Sequence, residues 1–383
     1  MSKQIEAALL RPEPTMAVER ILHKALDGVR LTYDEGVTLM KEGDLGSLGL
    51  VAGAITRRLH PDNLVTFVVD RNINYSNICV TDCKFCAFFR HADDEDAYVL
   101  THEEILAKVA ELAASGGTQL LIQGGHHPRL GLDYYTEMCR KIKAAYPQIT
   151  IHSFSVSEIR HFARVFKMSV RDVLLALHEA GLDSVPGAGG EVLVERPRSI
   201  IAPLKDPAAD WLTTYETVAA VGLKGTATMM FGHVETLEER VEHMLRIREV
   251  QDRTRDADGE GVFRAFICWT FQPGNTPLVA EGLHNGVVTS SYEYLRTLAV
   301  SRIFLDNVAN IQASWVTQGP RIGQISLECG CNDFGGTMME ENVVASAGTV
   351  YGITPAEAVR LIKDAGRIPA KRNTQYDILE RYA

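Results

Sequence analysis

The sequence predicts an α/β chain wound as a (β/α)8 barrel of the TIM type, and three observations predict it. Eight strand-like runs lie between residues 65 and 328, and helical stripes opened by capping residues lie between most of them. The turns that hold glycine, histidine and cysteine follow the carboxyl ends of those runs, where barrel enzymes build their sites. The first βα turn has no G-x-G-x-x-G, which disfavours the alternative, an open doubly wound sheet.

The chain begins with helices. Val18, Ile21, Leu22 and Ala25 recur at helical spacing, Thr32-Tyr-Asp-Glu35 is a capping box, and a third segment runs from about Leu48 to Arg58. The strand-like runs are Val65–Asp70, Thr118–Gln123, Thr150–Ser155, Asp183–Val185, Thr226–Phe231, Phe263–Thr270, Ile311–Val316 and Gln324–Glu328. Between them, Thr101-His-Glu-Glu104 and Thr236-Leu-Glu-Glu239 cap amphipathic helices, and Val170, Val173, Leu174 and Leu177 form a stripe ended by Gly181. Tyr294, Leu295, Leu298 and Ile303 mark another helix, and Pro355 follows Thr354 at the start of a late one. The division expected is an N-terminal helical extension over 1–60, the barrel over 61–330, and a helical C-terminal extension over 331–383 packed on it.

Composition narrows the function. The chain has 383 residues, 46% hydrophobic and 23% charged, which is ordinary for a globular enzyme. A net charge of −10 argues against a nucleic-acid surface, so an anionic substrate has to be held by a few local arginines. The opening Met1-Ser-Lys-Gln-Ile-Glu is polar and no apolar run approaches ~18 residues, so neither a leader nor a membrane span is expected. Seven cysteines, three of them on one loop, fit a reducing cytoplasm better than a disulfide framework.

That loop is Cys79-Val-Thr-Asp-Cys83-Lys-Phe-Cys86, just beyond the first strand-like run. Thiolates at C-x3-C-x2-C spacing can hold three irons of a cubane 4Fe–4S cluster, leaving the fourth iron without a protein ligand. That iron can chelate the amino and carboxylate groups of S-adenosylmethionine and deliver an electron to its sulfonium. A structural zinc site would want a fourth Cys or His, and His91 is the nearest one. Phe85 fits an aromatic that shields the cluster and packs on adenine.

The later turns can serve the same cofactor. Gly124 and Gly125, in Gln123-Gly-Gly-His-His-Pro128, let a ligand approach the backbone, and a tight turn is the alternative role. His126 and His127 then stand at the barrel mouth, as proton carriers or as loop anchors. Ser153, Ser155 and Ser157 alternate onto one side, and Ser155, Ser157 and Glu158 suit a ribose diol, with helix capping as the competing role. Arg196 and Arg198 follow Pro186-Gly-Ala-Gly-Gly190-Glu191 and can grip a carboxylate or sit in a solvated turn. Met230 and Gly232, before His233, can meet adenine. Cys139 and Cys268 read as core, and the Cys329-Gly-Cys331 pair has too few ligands for a second cluster.

Read together, these segments resemble the radical S-adenosylmethionine superfamily, and within it the menaquinone branch. Asp70 through Cys79 and Cys86-Ala-Phe-Phe-Arg90 carry that resemblance. Ile122–Pro128, Met229–Thr236, Trp269-Thr-Phe-Gln-Pro273, Ala313–Pro320 and Asn332–Asn342 narrow it to the dehypoxanthine futalosine cyclase family. Cys268, where the family pattern expects proline, and the order of Ala188-Gly-Gly190 depart from it without touching a cluster ligand. The resemblance implies a barrel of the radical SAM kind, a 4Fe–4S cluster, S-adenosylmethionine, and dehypoxanthine futalosine as substrate. It implies hydrogen abstraction from ribose C4′, addition of that carbon to the benzoate ring, and loss of an electron and a proton. A one-electron reductant protein such as flavodoxin or ferredoxin is implied as partner. For the benzoate, Arg90, Arg160, Arg302 and Arg321 are candidates; for sugar hydroxyls, Asn74, Thr270, Gln312 and Ser314; for the terminal base, His126, His127 and His233. The competing functions are aminofutalosine synthase chemistry and a non-catalytic iron–sulfur or zinc protein.

Overall fold

The computed structural model describes residues 16–382. Nine short parallel strands run round the centre: β1 (Leu64–Val68), β2 (Asp70–Ile73), β3 (Gln119–Ile122), β4 (Thr150–Ser153), β5 (Ser184–Val185), β6 (Lys224–Phe231), β7 (Phe263–Thr270), β8 (Asn310–Gln312) and β9 (Asp333–Gly336). Each pairs in parallel with its neighbour from β2 through β9. β9 then pairs with β1, at Thr66↔Asp333 and Val68↔Gly336. Only Val69 separates β1 from β2, so the two ends of the array are one stretch of chain and the ring closes as an eight-unit barrel.

Helices form the outer layer because each has one apolar stripe to bury. Val18, Ile21, Leu22 and Ala25 are the buried face of Met16–Leu26, and they join the same core as barrel residues Phe67, Ile122 and Phe266. Thr32, Thr101 and Thr236 each accept from the backbone N–H of the glutamate three residues on, and that glutamate caps back.

Three features differ from the sequence reading. Gln324–Glu328 is not the eighth strand: the helix Pro320–Ser326 ends there, opened by Pro320. The strand comes later, as Asp333-Phe-Gly-Gly336, beyond the boundary expected at 330. Its glycines hid it, since glycine is depleted in strands. Here a side chain on Gly336 would collide with the Asp70 carboxylate, so the strand needs glycine to pack. Second, the run Ile311–Val316 is a strand only over Asn310–Gln312, and a helical turn follows at Trp315–Gln318.

Third, the C-terminal segment is only partly helical. After Pro355–Asp364 come two strands, β10 (Ile368–Arg372) and β11 (Ile378–Arg381). β10 runs parallel to β1, Leu64↔Ile368 to Phe67↔Lys371, along the edge that β3 does not reach. β11 returns antiparallel to it. From the end of β10 the chain turns under the barrel, where Arg372, Thr374 and Tyr376 line the barrel cavity. Thr374 Oγ1 donates to Gln119 Oε1 at 2.8 Å, and Tyr376 is held at φ 71°, a left-handed conformation uncommon outside glycine.

Candidate active site

The cysteine loop is built before anything binds to it. Cys79 N–H donates to the Arg90 carbonyl at 3.0 Å and Cys86 N–H to the Cys83 carbonyl at 3.0 Å. The Arg90 guanidinium returns to the carbonyls of Ala87, Phe88 and Phe89, and pairs with Asp96 at 2.7 Å. Arg90 is therefore a brace for the loop. A small apolar cluster of Cys83, Val192, Val194, Ile201, Met230, Phe271 and Leu278 carries Phe85 and Cys86 against it.

Cys79, Cys83 and Cys86 all line one cavity of about 150 Å³. Burial pushes the Cys83 thiol up to about 12 and raises that of Cys86. The backbone N–H groups of Phe88 and Phe89 aim at the Cys86 sulfur and favour its thiolate. Among the described residues no three Cys, His, Asp or Glu side chains converge as ligands of one ion. A cubane asks for a different arrangement, one thiolate per iron, so three thiols spread around a cavity suit a cluster and not a zinc ion. His91, the histidine nearest to the loop in sequence, is exposed and turned toward Asp94.

The glycine turn after β3 is pressed onto this loop. Gly125 N–H donates to the Ser76 carbonyl at 2.8 Å and Val80 N–H to the His126 carbonyl at 3.2 Å. A side chain on Gly124 would meet the Tyr75 ring, and one on Gly125 would meet the Ile78 carbonyl and, at 3.0 Å, Cys79 Cβ. These glycines are needed for close approach, since neither carries a positive φ. We expect Gly125→Ala to displace the cysteine loop and lower turnover on the order of 100-fold, as about 1 Å of misplacement does. Gly131→Ala is the control, since open space surrounds that position; iron content and initial rates of both variants check this.

Glu158 ties the turn to the next strand. It accepts from Tyr75 Oη at 2.8 Å, Gly124 N–H at 3.0 Å, and the Ser155 N–H and hydroxyl at 2.7 Å each. Burial raises its pKa against those bonds. Ser155 and Glu158 line the cysteine cavity, and Ser155 is at once the helix cap. Ser157 is buried against Gly189 and lines neither cavity described.

The remaining predicted residues divide sharply. His126 lines the cysteine cavity, its ring stacked 4.9 Å from that of His161, its Nδ1 without a partner, and burial holds it neutral. His127 accepts from Arg129 and Leu130 N–H at Nδ1 and anchors its own turn. His233 turns back on its own loop, with Nε2 3.1 Å from the Met230 carbonyl and Nδ1 3.1 Å from Glu235. Gly232 donates to Glu235 at 2.7 Å with φ 85°, and Met230 packs in the apolar cluster under the cysteine loop. Arg196 is exposed and paired with Glu239 at 2.5 Å. Neither cavity is lined by His127, His233, Gly232, Met230 or Arg196.

A larger cavity, about 300 Å³, fills the barrel. Phe85, Gln123, Ala188, Glu191 and Val343 line both cavities, so the thiol chamber adjoins the barrel cavity. Trp269 and Trp315 line the barrel cavity, and Gln312 and Ser314 offer polar groups there. Asn74 faces the thiol chamber, while Thr270 lies outside both cavities, bonded to Gln272 and Gln318. Two charged residues at the junction, Glu191 and Lys205, escaped the sequence reading, and they gather Arg198, which was marked for a carboxylate. Glu191 is buried and pairs at 2.9 Å with Lys205, whose side chain is 10% exposed, and Lys205 Nζ stands 5.2 Å from the centre of the Phe85 ring. Arg198 Nη1 lies 3.9 Å from Glu191 and donates to the Gly189 carbonyl at 2.9 Å. The lysine and arginine hold the Glu191 carboxyl below the usual range despite its burial. Its adjacency to a glycine turn was the one visible signal; Lys205, fourteen residues on, carried none. His152 and Asp70 also face the barrel interior, and burial drives the first down to about 3 and the second up to about 6.

A parallel barrel with three thiols after its first strand and a glycine turn after the next defines a radical SAM enzyme. The radical SAM superfamily pattern matches residues 73–247, and the CofH/MqnC C-terminal region matches residues 260–382. The chain is 44% identical over 367 residues to the cyclic dehypoxanthine futalosine synthase of Halalkalibacterium halodurans, covering 96% of each chain. It is 45% identical over 365 residues to that of Streptomyces coelicolor, covering 94% of this chain and 89% of that one. Against the aminodeoxyfutalosine synthase of Thermus thermophilus the identity is 38% over 358 residues, covering 93% and 94%. Among solved structures, the FeFe-hydrogenase maturase HydG of Carboxydothermus hydrogenoformans shares the fold with a TM-score of 0.71 at 16% identity, covering 97% of this chain and 83% of that one. The chain belongs to the radical SAM superfamily and, within it, to the CofH/MqnC family. Superfamily members work with a 4Fe–4S cluster and S-adenosylmethionine. No helix among the described residues is long and apolar enough to cross a membrane.

Proposed function

We propose that this enzyme converts dehypoxanthine futalosine to cyclic dehypoxanthine futalosine in menaquinone biosynthesis, with Cys79, Cys83 and Cys86 as the cluster ligands. The observation that carries the reading is that the thiol chamber and the barrel cavity adjoin, sharing Phe85, Gln123, Ala188, Glu191 and Val343 as lining. When bound, the cluster and S-adenosylmethionine supply a hydrogen-abstracting adenosyl radical at that junction. The chain's own task is to hold a sugar C–H bond there and keep water and other hydrogen donors away.

Named residues suit each part of that task. Phe85 lies at the junction and packs on an adenine face. Glu191 Oε2, buried without a hydrogen-bond partner, accepts a hydroxyl of a ribose. Gln312 and Ser314 offer donors deeper in the barrel, and Trp269 and Trp315 give its walls flat apolar surface for an aryl ring. His126, lining the thiol chamber with Nδ1 unpartnered, is the one of the three histidines expected to serve that is placed to meet a proton there. The electron comes from a flavodoxin or ferredoxin, and the setting is a reducing cytoplasm.

The test is anaerobic reconstitution with iron and sulfide, then incubation with S-adenosylmethionine, reductant and dehypoxanthine futalosine. The cyclic product and 5′-deoxyadenosine are expected together, with no second organic substrate. A requirement for a purine nucleoside and an enolpyruvyl benzoate would instead make it an aminofutalosine synthase. Absence of 5′-deoxyadenosine would leave only an electron carrier.

A further inference from the structure

None of the four arginines marked for the benzoate reaches the barrel cavity. Arg90 braces the cysteine loop, Arg160 pairs with Asp206 and Asp210, Arg302 bonds the Gly330 and Ala309 carbonyls, and Arg321 is exposed. Two other arginines do reach it, Arg264 and Arg372. Arg372 is taken up by Asp333. Arg264 makes no ion pair among the described residues; its one side-chain hydrogen bond is a long one to Ser184 Oγ, 3.3 Å.

Arg264 faces inward for a specific reason. Ile267 and Trp269 line the cavity by strand alternation, and alternation alone would turn Arg264 outward. From Gly225 to Thr226, β6 advances one residue while its partners on β7 advance two, Phe263 to Ala265. Arg264 is the extra residue of a β-bulge, a device that re-aims a side chain. Beside it stands His152, buried, with Nδ1 unpartnered and its charge disfavoured first by that burial and then by the guanidinium. Glu260, Asp183 and Asp377 act on Arg264 only at longer range. A half-buried cation whose neighbours include an unsatisfied imidazole, at the end of the cavity away from the thiols, is a site for an anion.

We propose that Arg264, with His152 beside it, binds the carboxylate of a carboxyaryl substrate at the floor of the barrel and so aims the rest of that substrate toward the cysteine loop. From Arg264 to Trp269 the strand spans roughly 16 Å, which sets the reach of such a molecule. This assignment rests on the cyclase reading for the identity of the substrate, but not for the existence of the anion site.

The experiment compares dehypoxanthine futalosine with its carboxamide in wild type, Arg264→Met and Arg264→Lys, using cluster-loaded protein. The wild-type preference for the acid, as a ratio of kcat/KM values, should fall about 10- to 100-fold in Arg264→Met, mostly through KM, and partly recover in Arg264→Lys. A loss of folded protein cancels in a ratio taken within each variant. In parallel, benzoate titrated calorimetrically should bind wild type at least tenfold more tightly than Arg264→Met. An unchanged preference, or equal benzoate affinity in both proteins, overturns the assignment. Benzoate binding lost in Arg264→Met, in a wild type that consumes neither substrate, would uphold the anion site and sink the cyclase reading instead.

Discussion

Replacing Cys83 by alanine is expected to abolish cleavage of S-adenosylmethionine. Of the three loop cysteines it is the most buried, packed with Val192, Ile201 and Met230, so no outside thiol or water-borne ligand has room to substitute for it. A cubane bound through two thiolates lacks a ligand on a second iron and is lost or degraded. The chain itself should remain folded, because alanine keeps the apolar character of the site and deletes a single sulfur atom. Iron and sulfide analysis of anaerobically reconstituted Cys83→Ala protein should show a deficit against wild type, and chromatography should find no 5′-deoxyadenosine. Wild-type amounts of 5′-deoxyadenosine from this variant would remove the cluster from this loop. The same measurement on Cys329→Ala should match wild type, since Cys329 packs in the main core away from both cavities.

The largest loss of stability should come from the base of the barrel. Asp333 and Arg372 form a buried pair, their side chains 0% and 4% exposed. Asp333 also accepts from Thr66 Oγ1 at 2.6 Å and from Gly335 N–H at 2.7 Å. Against its burial, the Asp333 carboxylate holds the arginine above its ordinary pKa, so Arg372 stays charged across the accessible range. Arg372→Met leaves that carboxylate buried and unpaired, a change that costs about 3–5 kcal/mol. Denaturant titration should show the midpoint falling, and the double variant Arg372→Met, Asp333→Asn should regain much of the loss, because the lone charge is then gone. A single variant as stable as wild type would mean that the pair contributes nothing net.

Much of this was visible in the residues. The capping boxes at Thr32, Thr101 and Thr236 act through bonds between near neighbours, so local sequence reports them faithfully. The cysteine spacing is likewise local. What escaped reading depends on contacts between distant segments. β9 is glycine-rich because Gly336 meets Asp70, 266 positions earlier, and nothing near residue 336 announces that. Arg264 looks like an outward residue of a strand until the register of β6 is known. Lys205 belongs to the site only because the helix Glu195–Ile201 brings it back to Glu191. Among the histidines, sequence marks barrel-mouth positions alike. Which ring turns to its own backbone, as His233 does, and which keeps a free nitrogen, as His126 does, is decided by packing.

The strand that completes the ring also leads, six residues past Ile73, into Cys79. A ribosome delivers β9 some 260 positions after β1, and the Arg372 latch later still. Until then the growing polypeptide is an unstitched tube, although the apolar cluster that carries the cysteine loop, through Leu278, has been made. A pulse-labelled chain stalled before residue 333 should therefore hold iron less firmly than the finished one, its thiols in place but its barrel open.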